Sequence, residues 1–386
     1  MKLDQLETVA VIGAGDMGHG IAQVALMAGY RVNLCDIKEE FVARGISRIY
    51  ASLDKLSAKG KVSSALASSI KEGRVKGFTA IEEAVEDAQL IIEAVPERLD
   101  IKRGALERIS ATCREDSVIA TNSSTMSITM LAKFVRKPGN MVGMHYFNPA
   151  VLMKLVEVIC GDETTPETAD FARAYAERAG KTVVVARRDC PGFIANRIVA
   201  PVVVYNGLCI DRDGITPADI DLSMMKNGQK MGPMELADYT GVDVTSFCQD
   251  YYHEHLSPEY GPSQTARRLL SEGRLGKKTG RGYYVWPEAG RPVLDESLYT
   301  GRYNPDIPNF IQANEACRLL EEGVCSLEEC DTAIELGYNM RGPISYVQSF
   351  SPETVAGALR TVATHFSRDI FLPTETIISG KYLFRS

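Results

Sequence analysis

The sequence lacks several patterns that would place it in common protein classes. Its nine cysteines include no Cys-x-x-Cys pair, so no metal site is expected and the thiols are interpreted as buried groups in a reducing compartment. No run approaches the roughly eighteen apolar residues that a membrane-spanning helix requires. Basic residues are outnumbered, 43 against 50 acidic ones, and the net charge is −7. A surface dedicated to nucleic acid or to a membrane is therefore not expected.

The start of the chain also lacks a targeting pattern. Residues 1–13, MKLDQLETVAVIG, show no charged segment followed by an apolar stretch and a small-residue cleavage site, so a cytoplasmic protein is expected. With 386 residues the chain is too long for one ordinary core, and two or three domains are expected. Its 45% apolar and 24% charged residues are typical of a globular enzyme.

Residues 8–36 have the pattern of a dinucleotide-binding unit. The apolar run Val9–Ile12 predicts a buried strand, and an amphipathic helix is predicted from Gly18 to Ala28. Between them stands GAGDMG, whose glycines have the GxGxxG spacing. Such glycines permit a tight turn, the approach of a pyrophosphate to the backbone, and close packing of helix on strand. The N-terminus of the helix then directs free N–H groups at the phosphates.

The same stretch predicts which dinucleotide is bound. A second strand, Arg31–Leu34, leads to Asp36, where a carboxylate can accept both ribose hydroxyls and would repel a 2′-phosphate. NAD is therefore favoured over NADP. A glycine-rich turn alone is weak evidence, but strand, helix, strand and acidic residue occur here in the required order. The predicted cofactor contacts in this stretch are Gly13, Gly15, Asp16, Met17, Gly18 and Asp36.

Further strands are predicted downstream, separated by helical segments. The apolar runs are 88–95, 117–122 and 140–147, and this alternation is typical of a doubly wound parallel sheet. Ligands bind such sheets beyond the carboxyl ends of the strands. The polar residues at or just past these predicted strand ends are Glu93, Glu97, Asn122, Ser123, Ser124 and His145. They are predicted to form a site.

One segment places an imidazole near a carboxylate. In GMHYFNPAVLMKLVEVI, residues 143–159, His145 and Glu157 lie twelve residues apart among mostly apolar neighbours. A neutral imidazole is suited to proton removal near pH 7, and a carboxylate in a strand-like apolar alternation needs a partner. A base with the group that orients it and a buried structural pair both fit this segment. The cofactor unit upstream favours the catalytic interpretation.

A polar helical face precedes the third strand. Ser52, Lys55 and Lys59 are spaced at i, i+3 and i+7, so they share one side of a helix. Periodicity alone leaves two interpretations open, a solvated surface helix and a patch for a phosphorylated substrate handle.

The second half of the chain is helical and partly repeats itself. NGLCIDRDGI (206–215) is echoed by NEACRLLEEGV (314–324), and DLSMMKNGQKMGP (221–233) by DTAIELGYNMRGP (331–343), which predicts an internal duplication. The second copy lacks the PGFIANR and GKKTGRG motifs, so it is interpreted as structural. The predicted domains are an NAD-binding domain at 1–186, a helical domain at 187–296 and its degenerate copy at 297–386.

Taken together, these motifs resemble the L-3-hydroxyacyl-CoA dehydrogenases. The resemblance covers nearly the whole chain and rests on motifs in the family's order and spacing: GAGDMG, EAVPERLDIK, ATNSSTMSI, GMHYFNPAVLMKLVEV, DCPGFIANR, DIDLSMMKNGQKMGPMELADYTGVD and GRLGKKTGRGYY. It implies an α/β Rossmann-type doubly wound domain followed by an all-α domain in two tandem copies. It also implies NAD-dependent oxidation of the 3-hydroxyl of an acyl-CoA, a β-oxidation step.

The resemblance further implies roles for individual residues. His145 corresponds to the catalytic base and Glu157 to its partner, while Ser124 and Asn196 correspond to groups that hydrogen-bond the substrate. The implied contacts to the nicotinamide side of NAD are Glu97, Lys102, Ser124, Asn148 and Lys278. Ser52 and Lys59 match positions that hold CoA, with Lys55 on the same face.

Two other functions and one question of assembly stay open at this level. A related dehydrogenase of a free hydroxy acid, of the carnitine or gulonate type, would not need the CoA handle, and an inactive NAD-binding scaffold would not need the polar site. Short family members dimerise through the helical domain, so the resemblance implies either a homodimer or a monomer whose second copy supplies that packing surface.

Overall fold

The computed structural model describes residues 3–384 and divides into two compact units. The first unit reaches to Phe193 and includes Gly323–Cys325, and the second begins at Ile194. The first is α/β and the second is helical, as the sequence predicts. The last strand ends at Ala186. The predicted domain boundaries after residues 186 and 296 both stay predictions.

The first unit alternates strands and helices. Its strands are β1 Thr8–Ile12, β2 Arg31–Cys35, β3 Val75–Phe78, β4 Leu90–Glu93, β5 Val118–Thr121, β6 Met141–Tyr146, β7 Leu155–Ile159 and β8 Thr182–Ala186. Its helices are α1 Gly18–Met27, α2 Glu39–Ala58, α3 Ser64–Ser69, α4 Ile81–Val85, α5 Leu99–Thr112, α6 Ile128–Ala132 and α7 Pro166–Arg178, with shorter helical turns at Leu3–Gln5, Ile70–Arg74 and Pro138–Asn140.

One sheet with the order β3-β2-β1-β4-β5-β6-β7-β8 organises this unit. The strands from β3 to β6 are parallel, β7 runs antiparallel to β6, and β8 is parallel to β7. Every residue of β1, β4 and β5 is buried, because helices cover both faces of the sheet. One core contains side chains of α1, α2 and α7, and the other contains side chains of α4, α5 and α6.

Two glycines permit the turn that joins β1 to α1. Gly13 has φ +107°, and a Cβ there would lie 2.5 Å from the carbonyl oxygen of Ala94. At Gly18 a Cβ would lie 1.8 Å from the carbonyl oxygen of Gly13. The start of α1 therefore approaches the end of β1 more closely than a side chain allows, as the GxGxxG spacing predicts.

The second unit consists of helices and connecting turns. The helices are α8 Ala195–Asp211, α9 Pro217–Lys226, α10 Pro233–Thr240, α11 Val242–His255, α12 Gln264–Ser271, α13 Asp306–Glu321, α14 Leu327–Tyr338, α15 Pro343–Val347, α16 Pro352–Phe366 and α17 Glu375–Ile378. The 3-10 turns are Pro258–Tyr260, Lys277–Thr279, Glu296–Leu298, Asp369–Phe371 and Lys381–Phe384.

Two helix pairs of this unit share one type of connection. Asp221 of α9 accepts the N–H groups of the second and third residues of α10, both at 2.8 Å. Asp331 of α14 does the same for α15, at 2.7 and 3.0 Å. The residue before each capped helix is a glycine, Gly232 or Gly342, where a Cβ would lie 2.2 or 2.5 Å from the aspartate carboxyl carbon. Each aspartate therefore satisfies N–H groups that a helix N-terminus leaves without acceptors.

Candidate active site

The predicted cofactor loop has the geometry that a dinucleotide needs. Asp36, just past β2, accepts the N–H of Ala14 at 2.7 Å and the N–H of Ile37 at 2.7 Å, so its carboxylate is fixed beside the glycine turn. A Cβ at Gly15 would meet nothing within 4 Å, which leaves the backbone open to a ligand. The first turn of α1 follows at once and offers its free N–H groups to phosphate. The loop therefore fits the cofactor.

A buried ion pair lies beneath the carboxyl ends of β4 and β5. The ammonium of Lys102 donates to both oxygens of Glu93 at 3.0 and 3.1 Å, and these side chains are 1% and 0% exposed. The hydroxyl of Thr121 donates to Glu93 at 2.6 Å, and so does the N–H of Val95 at 2.7 Å. Because each charge has close polar partners, the desolvation penalty of burying the pair is offset.

Glu97 ties this pair to the loop that follows β5. Its Oε2 lies 3.1 Å from the Lys102 ammonium. Its Oε1 accepts the Ser123 hydroxyl at 2.5 Å, the Ser124 N–H at 3.1 Å, and both the N–H and the hydroxyl of Thr125 at 3.2 and 3.1 Å. The backbone at Ser124, a predicted substrate and cofactor contact, is therefore held in place by a carboxylate.

Both Glu97 and Lys102 are charged despite their burial. Burial opposes ionisation of Glu97, but the charge of Lys102 and the hydrogen bonds from Ser123 and Thr125 outweigh it and lower the pKa of this carboxyl. Burial likewise opposes the charge of Lys102, but Glu93 and Glu97 outweigh it and raise the pKa of the ammonium. The cluster therefore holds fixed charges near neutral pH.

His145 and Glu157 are brought together by the pairing of β6 with β7. They stand directly opposite each other in the antiparallel register, so both side chains point to the same face. The Nδ1 of His145 lies 2.5 Å from Oε2 of Glu157, and both residues are buried. Since a carboxylate only accepts, Nδ1 carries the proton in this pair and Nε2 is the nitrogen available as a base.

The surroundings of His145 restrict its ring. The ring centroids of Phe147 and Phe193 lie 4.6 and 5.9 Å from that of the imidazole. The side chain of Asn122 accepts the N–H of Tyr146, the residue after His145, at 2.9 Å and so ties the end of β5 to the end of β6. The imidazole is therefore held by a carboxylate on one side and aromatic rings on others.

The loop between β6 and β7 carries Asn148, which is exposed. The ammonium of Lys181 donates to the carbonyls of Ala150 and Met153 in this loop, at 2.5 and 2.7 Å. Burial lowers the pKa of Lys181 to about 8. A Cβ at Gly20 of α1 would lie 3.2 Å from the Cβ of Ala150, so the loop packs against the helix that begins in the cofactor loop.

The predicted CoA face lies on α2. Ser52 is half-buried and Lys55 is exposed. Lys59 is also exposed and is the first residue after α2, whose last residue is Ala58. The three residues keep the spacing of one helical side, and their role in CoA binding stays a prediction.

Two predicted site residues belong to the second unit. Asn196 is the second residue of α8, and its side-chain oxygen accepts the Tyr338 hydroxyl at 2.7 Å. Lys278 lies in the turn Lys277–Thr279 and forms an ion pair with Asp243 at 2.6 Å. Both roles stay predictions.

Sequence reasoning missed several residues that hold this site. Thr121 at the end of β5 stands opposite Glu93 at the end of β4. Aligning the predicted ends of these two strands in the sequence could have indicated their contact. Thr125 lies in the ATNSSTMSI motif, but the motif alone does not indicate its contact with Glu97. Lys181 follows α7 far along the chain, and no local pattern indicates its contact with the loop after β6.

Comparisons with known proteins identify the family. Residues 8–190 match the family model "3-hydroxyacyl-CoA dehydrogenase, NAD binding domain", and residues 192–286 match the model of the C-terminal domain. The chain belongs to the 3-hydroxyacyl-CoA dehydrogenase family. The predicted family, NAD as cofactor and the oxidoreductase class are thereby confirmed.

Relatives of this dehydrogenase differ in how much of the chain they match. A probable 3-hydroxyacyl-CoA dehydrogenase of Caenorhabditis elegans is 37% identical over 74% of this chain and 97% of its own length. The 3-hydroxyadipyl-CoA dehydrogenase of Escherichia coli is 34% identical over 92% of this chain and 75% of its own. The crystal structure of a 3-hydroxybutyryl-CoA dehydrogenase from Escherichia coli has a TM-score of 0.89 at 26% identity and covers 99% of both chains.

Two structural findings complete the description of this dehydrogenase. Within residues 3–384 no helix combines the length and hydropathy needed to cross a membrane. The same residues contain no group of three or more histidine, cysteine or acidic side chains that could hold a metal ion.

We predict that Lys102→Met destabilises the protein in a pH-dependent way. The substitution leaves Glu93 buried without its cation, which costs about 3–5 kcal/mol. In the native chain the lowered pKa of Glu97 contributes stability above its unfolded pKa, and this contribution is lost as pH falls. Without Lys102 the burial of Glu97, which opposes its charge, is no longer outweighed, so the pKa of this carboxyl should rise in the variant. Protonation then relieves the buried charge as pH falls, and the deficit should be larger at pH 8 than at pH 5 in urea denaturation.

The matched control is Arg103→Met on the next residue of α5, whose ion pair with Glu107 is exposed. It should change the free energy of unfolding by less than about 1 kcal/mol at either pH. Equal losses for the two variants would contradict a buried charge cluster.

Proposed function

We propose that the enzyme oxidises the 3-hydroxyl of a (3S)-3-hydroxyacyl-CoA to the 3-oxo group and reduces NAD to NADH, reversibly. The observation that carries this proposal is the buried contact between His145 and Glu157 at the carboxyl end of β6, in the unit that contains the cofactor loop. Bound NAD supplies the acceptor for the hydride that leaves C3. The reaction then requires one further group, a base for the hydroxyl proton.

His145 supplies that base through Nε2. As the C3–H bond breaks and the hydroxyl oxygen becomes a carbonyl oxygen, the O–H proton moves to Nε2 and the imidazole becomes an imidazolium. Glu157 stabilises this cation from the Nδ1 side and keeps the ring in the required tautomer. The partial enclosure by Phe147 and Phe193 lowers the local polarity and strengthens this interaction.

Ser124 and Asn196 are proposed to hold the substrate oxygen. The backbone of Ser124 is fixed by Glu97, so its hydroxyl has a defined position at the end of β5. The amide oxygen of Asn196 is used by Tyr338, so its N–H groups are the ones that can donate to a developing carbonyl. The proposed contacts on the nicotinamide side of NAD are Glu97, Lys102, Asn148 and Lys278. Separately, the protein is proposed to be cytoplasmic.

The prediction for the catalytic pair compares two substitutions. His145→Gln removes the base and should lower kcat by about 10²–10⁴-fold, while NADH affinity stays within about twofold. Glu157→Gln keeps the shape but not the charge, so its kcat should fall less. Steady-state kinetics and NADH fluorescence titration measure the two effects.

The control is Glu163→Gln, an exposed glutamate shortly after β7, which should match the unaltered enzyme. Unchanged turnover in His145→Gln would remove His145 from its proposed role.

The proposed substrate carries a CoA handle, for which Ser52, Lys55 and Lys59 offer a hydroxyl and two cations. The alternative substrate is a free hydroxy acid. We expect NADH formation with (S)-3-hydroxybutyryl-CoA and much less with free 3-hydroxybutyrate at the same concentration. Activity on the free acid alone would establish the alternative.

We also propose that residues 297–386 are a degenerate copy of the helical domain that takes the place of a partner subunit. The duplication is supported by the matching aspartate caps: Asp221 of α9 caps α10, and Asp331 of α14 caps α15. Arg197 of the first copy is buried and donates to Glu315 of the second at 2.5 Å. By the repeat alignment Arg197 corresponds to Pro305, and Glu315 to Gly207, so the pair has no symmetric counterpart at the equivalent positions.

This proposal predicts that the buried ion pair between Arg197 and Glu315 stabilises the packing of the two copies. Glu315→Gln should lower the free energy of unfolding by about 3–5 kcal/mol, because the buried guanidinium of Arg197 loses its buried counter-charge. Glu322→Gln, at the partly exposed second partner of Arg197, should cost less than about 1 kcal/mol. Urea denaturation gives both values, and two equally small losses would argue against the coupling of the copies.

A further inference from the structure

The cofactor loop of this chain contains a carboxylate where a diphosphate must bind. Asp16 lies between Gly15 and Gly18, within the turn that leads into α1. Its backbone belongs to the segment whose N–H groups receive the cofactor phosphates. A carboxylate near two phosphate charges repels them, and this repulsion is stronger near a protein surface than in bulk water. Asp16 by itself therefore opposes cofactor binding.

A cation from α2 is placed directly on this carboxylate. The guanidinium of Arg48 lies 2.7 Å from Oδ1 of Asp16. The approach is possible because Gly45, three residues earlier on α2, packs on the loop: a Cβ there would lie 3.0 Å from the Cβ of Ala14 and 3.1 Å from its carbonyl oxygen. The helix that carries Arg48 is thus anchored on the phosphate-binding turn.

The neighbouring titratable group adds no competing charge. His19, on the first turn of α1, has Nδ1 2.7 Å from the carbonyl oxygen of Gly15. Burial lowers the pKa of this imidazole, and the positive charge of Arg48 lowers it further. The ring is therefore neutral near pH 7.5, and the positive charge that neutralises Asp16 comes from Arg48.

Stability does not account for this pair. The side chains of Asp16 and Arg48 are 79% and 44% exposed, and pairs as exposed as this contribute little to folding stability. The pair lies in the turn that must accept the two negative charges of the cofactor diphosphate. Its electrostatic effect therefore falls on cofactor binding.

We propose that Arg48 is a positioning residue for the cofactor: it neutralises and holds Asp16, so that the loop can accept the diphosphate of NAD. Arg48 acts through Asp16 and does not itself need to touch the dinucleotide. The inference rests on NAD binding and is independent of which hydroxyacyl substrate the enzyme oxidises.

The test is a double-substitution cycle on NADH affinity, measured by fluorescence titration without acyl-CoA. Arg48→Gln should weaken NADH binding about three- to tenfold, because Asp16 then faces the diphosphate unpaired. Asp16→Asn should bind NADH as tightly as the unaltered protein or more tightly. The double variant D16N/R48Q should recover the affinity that R48Q loses, since the repelling charge is gone.

Two further readouts separate this electrostatic role from a purely structural one. The loss in R48Q should shrink as salt rises from 20 to 500 mM (concentrations chosen for the assay), because exposed charges are screened over about a Debye length. Arg48→Lys should restore most of the affinity, because it restores the charge. Thermal denaturation should place all these variants close to the unaltered protein.

The control is Arg44→Gln, one turn earlier on α2, where the guanidinium lies over the ring of Phe41 instead of the loop. It removes the same charge and should leave NADH affinity unchanged. An R44Q loss equal to that of R48Q would overturn the proposal in favour of an unspecific effect of net charge. A double variant as weak as R48Q would also overturn it, because Arg48 would then contact the cofactor directly.

Discussion

The contact between His145 and Glu157 is the constraint on which the rest of the site depends. It exists because β6 and β7 pair antiparallel with these two residues opposite each other. A shift of the register by one residue would move the carboxylate to the other face of the sheet, where it would be buried without its partner. Burying an unpaired charge is costly, so the register and the pair stabilise each other.

The same principle extends along the carboxyl edge of the sheet. Glu93 at the end of β4 stands opposite Thr121 at the end of β5 and receives its hydroxyl, and Lys102 from α5 completes the cluster. Asn122 then links β5 to β6. Glu93 and His145 are each held by a neighbour on the next strand or helix, so this part of the arrangement is formed before any ligand binds.

The sequence predicts those parts of the site that depend on local patterns. GAGDMG, the acidic residue after β2 and the polar residues at strand ends are local signals, and the chemistry of a lone imidazole and carboxylate predicted the pairing of His145 with Glu157. The roles of Thr121, Thr125 and Lys181 could not be predicted, because their contacts depend on strand register and on segments distant in sequence. The ion pair of Arg48 with Asp16 belongs to the same class, since it follows from the packing of α2 on the loop.

The central claim is that Glu157 fixes His145 as a neutral base with the proton on Nδ1 and the lone pair on Nε2. Nitrogen-15 NMR of the histidine side chains in the NADH complex measures this tautomer directly, and His145→Gln assigns the signal. The account predicts a protonated Nδ1 and an unprotonated Nε2 near pH 7.5. A neutral ring with its proton on Nε2 would contradict it, because that nitrogen could not then accept the substrate proton.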